Sequence, residues 1–249
     1  MKFQRHLIVA TLGLAAASAY AAGDHDTKWG YTGHGSPESW GELSPKFSAC
    51  SKGMSQSPIN ITETVEGDLP AIKVNYRPSK VEVINNGHTI QANYSDSNNT
   101  LRVGDKVYTL KQFHFHVPSE NLIKGKSFPL EAHFVHADAK GNLAVLAVLY
   151  ENGKDNTRLA PVWDAMPEKS GGKTALKQTF NAATLLPASL DYYRFSGSLT
   201  TPPCSEGVSW MVLKGFDHIG KAQVDKFSRV MGGPNNRPVQ PVNARIVVQ

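Results

Sequence analysis

The sequence predicts a mainly β, single-domain protein with a mostly antiparallel sheet, and three observations lead to this fold class. Segments with strand-like patterns recur along the 249 residues, and Gly and Pro are spread throughout, as expected for many short turns. No regular alternation of strands with helices appears. Because the chain also has no internal repeat and no linker-like stretch, residues 22–249 are expected to form one domain.

Seven segments predict strands, because polar and apolar residues alternate in them or because they form short apolar runs. In chain order they are residues 81–84, 88–94, 107–117, 130–137, 143–150, 192–195 and 208–213. Between the first two, Asn85-Asn86-Gly87 predicts a hairpin turn. Helices are predicted for residues 156–166 and for Lys221–Met231, which has an apolar face and is followed by Gly232-Gly233 as a stop signal.

Residues 1–21 predict a secretory signal peptide that is not part of the fold. Lys2 and Arg5 precede an apolar run over residues 7–17, and two Ala-x-Ala cleavage patterns follow it. The run is shorter than the roughly 20 residues that a membrane-spanning helix needs. We therefore expect an exported mature protein that is not inserted in a membrane.

The charge pattern argues against nucleic acid as a partner. The formal net charge is +5 at pH 7, and it falls to +3 (5 − 2) once Lys2 and Arg5 leave with the signal peptide. The remaining basic residues are scattered and form no cluster interleaved with aromatic residues.

Cys50 and Cys204 are the two cysteines of the chain, and an oxidising compartment favours one disulfide between them. Such a bond would close a very long loop, for which the chain-entropy estimate is about 4–5 kcal/mol. The alternative is a pair of buried thiols.

Three histidines on two alternating segments predict a metal site. In a strand with a period of two, His114 and His116 share one face, and His133 lies on one face of the segment over residues 130–137. If the two segments pair in one sheet, three imidazoles can converge. Three neutral histidines suit Zn²⁺ and leave one tetrahedral position for water, which is the arrangement of catalytic zinc sites.

The neighbours of these histidines strengthen the prediction. Gln112 stands two residues before His114, and Glu131 stands two before His133, so each lies on the face of its histidine. Each can accept the second ring N–H of its histidine and thereby fix the tautomer. His136 falls on the opposite face from His133, and we expect it to be structural.

Nearly the whole mature chain resembles the α-class carbonic anhydrases, and specifically their exported bacterial branch. The segments that carry the resemblance are Trp29-Gly30-Tyr31, Gln56-Ser57-Pro58-Ile59, Asn85-Asn86-Gly87-His88, Gln112-Phe113-His114-Phe115-His116, Ser119-Glu120-Asn121, Glu131-Ala132-His133-Phe134-Val135, Ser198-Leu199-Thr200-Thr201-Pro202-Pro203-Cys204 and Asn236-Arg237-Pro238.

The resemblance implies the fold of that family, a large twisted central sheet with a few short peripheral helices. It implies reversible zinc-dependent hydration of carbon dioxide to bicarbonate, with buffer as the proton acceptor. A periplasmic location and a possible homodimer are further expectations. Ser57-Pro58 and Pro202-Pro203 match positions where the family places cis prolines, and Cys50 and Cys204 match the cysteine pair of secreted members.

The resemblance also assigns roles to individual residues. Zinc is expected on His114, His116 and His133. Thr200 is expected to donate its proton to Glu120 and to accept a hydrogen bond from the attacking hydroxide, with Thr201 beside it among the catalytic residues. His88 is assigned as the proton shuttle, with water ordered next to it by Tyr31, Asn86 and Gln91. The apolar pocket for carbon dioxide would be lined by Val135, Val145, Leu199 and Trp210.

Three alternatives compete with this interpretation. His114-x-His116-x-x-x-Glu120 fits the first metal motif of a cupin-like barrel, which would make Glu120 a ligand, but a second motif is not evident downstream. A non-catalytic zinc-binding module with the same fold would have lost ligands, whereas all three histidines, Glu120 and Thr200 are present. A periplasmic zinc carrier would need an exposed, reversible site.

Overall fold

The computed structural model describes residues 28–249, so the predicted signal peptide lies outside the described residues. Strands dominate this range, as the sequence predicts. They are β1 (Asn60–Ile61), β2 (Ile72–Asn75), β3 (Val81–Asn85), β4 (Ile90–Tyr94), β5 (Thr100–Val103), β6 (Lys106–His116), β7 (Leu122–Ile123), β8 (Leu130–Ala137), β9 (Leu143–Asn152), β10 (Lys173–Ala175), β11 (Tyr192–Ser198), β12 (Glu206–Leu213) and β13 (Asp217–Ile219).

Eleven of the strands in residues 28–249 form one large sheet, with β10-β3-β4-β6-β8-β9-β12-β11 as its main path. On this path every pair is antiparallel except β9 with β12, and β13 also pairs with β9 in parallel. Strand β5 pairs with β6 and with β2, and a separate small sheet holds β1 and β7. The mainly β, mostly antiparallel prediction is confirmed, with the parallel pairs around β9 as an addition.

The centre of the sheet is buried on both faces. All eight residues of β8 are buried, and most of β9 is too, which explains why the sequence of β9 is a nearly continuous apolar run. The core cluster on one face of the sheet contains Phe113, Phe115 and Phe134, and a second cluster, on the opposite face, contains Val135 and Trp210. Since successive side chains of a strand point to opposite faces, the histidines of β6 lie on the face of the second cluster.

Within the described range, four short α-helices lie around the sheet: α1 (Trp40–Leu43), α2 (Ala49–Lys52), α3 (Ala160–Asp164) and α4 (Lys221–Met231). The prediction for α4 is confirmed, including its end at Gly232, which adopts a left-handed φ of 76°. The helix predicted over residues 156–166 is wrong in extent. Pro161 lacks an N–H and is tolerated only in the first helical turn, so α3 begins at Ala160, and Pro167 disfavours helix at the residue before it, so α3 ends before Met166.

The hairpin between β3 and β4 forms as predicted, but β4 begins at Ile90 rather than at residue 88. The Asn86 side-chain oxygen accepts the main-chain N–H groups of His88 and Thr89 at 2.9 and 2.8 Å, which holds both residues in the turn. Gly87 has a φ of +87°, a conformation that favours glycine.

Cys50 and Cys204 form a disulfide, so the thiol alternative is wrong. The bond packs with the buried Trp40 and Phe47, and Trp29 and Tyr31 cover this cluster. The peptide bonds Ser57-Pro58 and Pro202-Pro203 are cis as the resemblance implies, and Val117-Pro118 is a third cis bond that the sequence did not predict. No helix in residues 28–249 is both long enough and apolar enough to span a bilayer.

Candidate metal centre and active site

The register of two neighbouring strands brings the three predicted ligands together. His114 of β6 is directly opposite His133 of β8 in the antiparallel ladder, and His116 follows two residues later on the same face. One nitrogen from each ring lies within 4.8 Å of the other two. The structure therefore places three potential zinc ligands around one point.

Each of these rings is held by a hydrogen bond from its other nitrogen. His114 Nδ1 donates to Gln112 Oε1 at 2.8 Å, and His133 Nε2 donates to Glu131 Oε1 at 2.9 Å, which are the two partners predicted from the alternation. His116 Nδ1 donates to the Asn235 carbonyl at 2.8 Å, a partner that the sequence did not predict. The nitrogens left to face the centre are Nε2 of His114, Nδ1 of His133 and Nε2 of His116.

The chemistry of this donor set fits a zinc ion. His116 Nε2 is buried and has no hydrogen-bond partner among the described residues, which is costly unless a cation takes the lone pair. Burial, with repulsion from a charged His133, holds the pKa values of His114 and His116 well below the usual value. Both rings are therefore neutral, as metal ligands must be.

The Glu131 carboxylate connects the His133 ring to the main chain of Glu120 and Asn121. This buried carboxylate accepts the N–H groups of Glu120 and Asn121 at 2.7 and 2.8 Å and the Asn121 amide at 2.6 Å, in addition to the His133 ring. Burial pushes the pKa of His133 down, but the attraction and hydrogen bond of the Glu131 carboxylate outweigh it, so the net shift is upward. A more basic imidazole is a better metal ligand.

Glu120 lies beside the cluster and is not one of the three converging groups. Its Oε1 accepts the Arg237 main-chain N–H at 2.8 Å, which leaves Oε2 buried without a partner of full hydrogen-bond geometry. Burial raises the pKa of Glu120 to about 7, and His133, the Arg237 N–H and the nearby Thr200 hydroxyl oppose the rise. The cupin alternative, in which Glu120 is a ligand, has no support in this arrangement.

The loop between β11 and β12 carries Thr200 and Thr201. Thr200 is buried next to Glu120, while Thr201 is partly exposed and its carbonyl accepts the Cys204 N–H at 2.8 Å. Tyr31 has a buried hydroxyl with no hydrogen-bond partner in the part of the chain that the structure describes, and burial followed by the charge of Glu120 raises its pKa.

His88 stands in the β3–β4 turn, and its ring stacks on Trp29 with centroids 3.6 Å apart and planes 8° from parallel. Partial burial lowers the pKa of His88 below its usual value. The Asn86 amide donates to Gln91 Oε1 at 3.5 Å, and Gln91 lies opposite His114 in the β4–β6 ladder. Asn86 and Gln91 therefore connect the His88 turn to the position beside His114.

Val135, Val145 and Trp210 belong to one buried apolar cluster, and Leu199 packs against it. Val135 is directly opposite Val145 across β8 and β9, and Val145 is level with Trp210 across β9 and β12. The Trp210 ring meets the His133 ring edge-on at a centroid distance of 4.9 Å. An apolar wall thus adjoins the three histidines.

Three residues at this site had no assigned role in the sequence prediction: Trp29, Asn235 and Arg237. Each lies in a segment far along the chain from the residue that it contacts, so spacing alone gives no signal. The Asn235 amide donates to the main-chain oxygens of His88 and Phe115 at 3.0 and 2.9 Å, and so joins the His88 turn to a ligand strand.

A sheet that presents three converging imidazoles, each oriented through its second nitrogen and placed beside an apolar wall, defines a mononuclear zinc enzyme. The family model described as eukaryotic-type carbonic anhydrase matches residues 35–249. The chain belongs to this family, the α-class carbonic anhydrases.

Relatives and solved structures agree with this assignment. A carbonic anhydrase of Neisseria gonorrhoeae is 64% identical over 241 residues, which cover 97% of this chain and 95% of the relative. One from Pectobacterium carotovorum is 45% identical, with coverage of 96% and 98%. The α-carbonic anhydrase from Thermovibrio ammonificans, solved with the inhibitor sulfanilamide, superposes with a TM-score of 0.87 at 48% identity and covers 90% of this chain and 99% of that one.

Family and site together establish the reaction class. The chain is a lyase that hydrates carbon dioxide reversibly, zinc is its cofactor, and carbon dioxide and bicarbonate are its substrate and product. The sequence predictions of family, activity and cofactor are confirmed, and a non-catalytic module or zinc carrier is not needed to explain the site.

Proposed function

We propose that zinc is held by His114 Nε2, His116 Nε2 and His133 Nδ1, and that the surrounding residues direct hydroxide onto carbon dioxide. The observation that carries this proposal is the convergence of three nitrogens within 4.8 Å while the second nitrogen of each ring is occupied. When bound, zinc lowers the pKa of a water ligand to about 7, a figure that comes from carbonic anhydrase itself.

Glu120 and Thr200 are proposed to aim the nucleophile. When the Glu120 carboxyl group is ionised it can only accept hydrogen bonds, and the Arg237 N–H already occupies its Oε1. The Thr200 hydroxyl therefore donates to the remaining oxygen and keeps its own lone pairs for the O–H of the nucleophile. This series of hydrogen bonds turns a lone pair of the nucleophile toward the substrate carbon, which is a positioning effect.

The apolar wall is proposed to hold carbon dioxide. Val135, Val145, Leu199 and Trp210 offer no hydrogen-bonding side-chain group toward an uncharged substrate, because the Trp210 Nε1–H already donates to the Ser198 carbonyl at 3.0 Å. Charged bicarbonate gains nothing from such a surface, so this wall favours binding of the substrate of hydration and release of its product.

His88 is proposed to carry the released proton to buffer, with Tyr31, Asn86 and Gln91 ordering water between it and the metal ligands. Two features support the role: the ring is partly exposed, and its lowered pKa lets it give up a proton readily near neutral pH. Its stack on Trp29 fixes the ring at the mouth of the site.

The orientation step is tested by stopped-flow hydration of carbon dioxide with Thr200→Ala. We expect kcat/KM to fall by about 10²-fold, since a misplaced reacting group commonly costs this much, while zinc content stays at one ion per chain. Thr184→Ala, in an exposed turn, is the matched control and should retain full activity. Full activity of the Thr200 variant would contradict the proposed network.

The shuttle is tested separately with His88→Ala in weak buffer. We expect kcat to fall, kcat/KM to change little, and added imidazole to restore the rate. His218→Ala removes an exposed surface histidine and serves as the control. An unchanged kcat in the His88 variant would eliminate this role.

We also propose that the protein acts in the periplasm and that it forms a homodimer. The Cys50–Cys204 disulfide supports an oxidising compartment. Cell fractionation tests the location, and analytical ultracentrifugation tests the oligomeric state. A cytoplasmic pool with reduced cysteines, or a monomer at micromolar concentration, would contradict the respective part.

A further inference from the structure

Arg237 is a buried cation with an unusual set of partners. Its side chain is almost fully enclosed, yet within residues 28–249 its guanidinium forms no ion pair with a carboxylate. Nη1 donates to Gln56 Oε1 and to the Ser57 carbonyl at 2.9 and 2.8 Å, and Nη2 donates to the Cys50 carbonyl at 2.8 Å. Burying a charge costs free energy, so a buried guanidinium that donates only to neutral acceptors needs an explanation.

Gln56 and Ser57, which Arg237 holds, in turn hold both ends of the loop that carries Thr200. At the first end, Ser57 and Ser198 exchange two hydrogen bonds: the Ser57 N–H donates to Ser198 Oγ at 2.9 Å, and the Ser198 N–H donates to Ser57 Oγ at 3.2 Å. At the second end, the Gln56 amide donates to the Cys204 carbonyl at 3.0 Å. The disulfide ties Cys204 to Cys50, which Arg237 also contacts.

The main chain of the same arginine reaches the other member of the orienting pair. The Arg237 N–H donates to Glu120 Oε1 at 2.8 Å. One residue therefore contacts Glu120 through its backbone and, through its side chain, the segment that fixes the Thr200 loop.

We propose that Arg237 is a positioning residue that sets the distance between Glu120 and Thr200. The inference rests on the proposed roles of those two residues. The planar guanidinium can serve three acceptors in fixed directions at once, whereas a lysine ammonium on a flexible stem keeps the charge but not the fork. Arg237→Lys should therefore let the Thr200 loop shift relative to Glu120.

The experiment is a double-mutant cycle on the zinc-loaded enzyme. Arg237→Lys alone should lower kcat/KM for hydration by about 10- to 100-fold, with one zinc per chain and no rescue by imidazole, because hydroxide orientation and not proton export is affected. In a Thr200→Ala background the same substitution should cost less than about twofold, since the pair that it positions is already broken.

Arg245→Lys is the matched control. Arg245 also donates to three main-chain carbonyls, those of Val242, Ser196 and Pro241, but it contacts neither Glu120 nor the segment that holds the Thr200 loop. Its replacement should leave kcat/KM within about twofold in both backgrounds. A purely structural contribution of a buried arginine would instead lower activity by the same factor with or without Thr200.

The outcomes separate this inference from the function on which it rests. If Thr200→Ala has no effect, the orienting network itself is wrong. If Thr200→Ala lowers kcat/KM but Arg237→Lys has no effect, the positioning role is wrong. It is also wrong if Arg237→Lys lowers kcat/KM by the same factor in the Thr200→Ala background as in the wild type. If Arg237→Lys does not fold, Ser57→Ala replaces it in the cycle, because it removes one of the two bonds to Ser198. It should lower kcat/KM by a smaller factor, and only when Thr200 is present. A loss of kcat/KM that is the same with and without Thr200 overturns the role.

Discussion

Lowering the pH from 7.5 to 5 should destabilise the protein by about 2 kcal/mol through one residue, His136. The ring is fully buried in β8, on the face away from the metal ligands. Its Nε2 accepts the Tyr76 hydroxyl at 2.6 Å, and its Nδ1 donates to the Ala144 carbonyl at 3.3 Å. Both nitrogens are satisfied only while the ring is neutral.

The magnitude follows from the pKa. Burial lowers the pKa of His136 from 6.5 to about 4, against weaker opposition from hydrogen bonds to main-chain carbonyls. Above pH 6.5 both folded and unfolded states carry a neutral ring, so the group makes no difference. Between pH 6.5 and 4 only the unfolded state takes up the proton, and stability falls by about 2 kcal/mol at pH 5 and by about 3 kcal/mol below pH 4.

Urea unfolding at pH 7.5 and pH 5 measures this loss. Other groups titrate in the same interval, so the quantity to compare is the loss of unfolding free energy in the wild type and in His136→Gln. The variant is expected to be less stable at pH 7.5 but to lose about 2 kcal/mol less on acidification. His218→Gln, at an exposed position, should keep the wild-type pH dependence. Equal losses in wild type and His136→Gln would refute the reasoning.

Three further predictions concern other parts of the structure. Glu131→Gln should weaken zinc binding by about 10- to 100-fold, measured by competition with a chelator, because the His133 ring loses its charged acceptor; unchanged affinity would argue against this role. Replacing Cys50 and Cys204 by serine should lower the unfolding free energy by up to about 5 kcal/mol, given their sequence separation of 154, and urea midpoints that match the wild type would contradict it. Trp29→Ala should raise the pKa of His88 toward its usual value, because burial lowers it; an NMR titration decides this, and a further fall would contradict the stated cause.

The sequence predicts the central strands well and the edges poorly. Strands β6 and β8 follow from alternation because one face of each must be apolar whatever the rest of the fold does. Strand β10 escaped prediction because it is short and fully exposed, so burial imposes no pattern on it, and β2 escaped because its alternation extends over only four residues. The parallel pairing of β9 with β12 depends on contacts far apart in the chain, which no local pattern records.

The same division applies to the site. Gln112 and Glu131 could be predicted because each lies two residues from its histidine on the same strand, where geometry is fixed by the backbone. Asn235 and Arg237 could not, since they reach His116 and Glu120 across more than a hundred residues. Their roles depend on how the chain end returns to the sheet.

The facing positions of His114 and His133 on two paired strands have a consequence for metal exchange. The spacing of the coordinating atoms is set by main-chain hydrogen bonds of the ladder and by the acceptors behind each ring, rather than by the ion. Stripping the ion with a chelator should leave a folded apoprotein, and cobalt added afterwards should enter the same tetrahedral cage. The strand pairing and the acceptors behind the rings, rather than the metal, therefore determine where the ligand atoms lie.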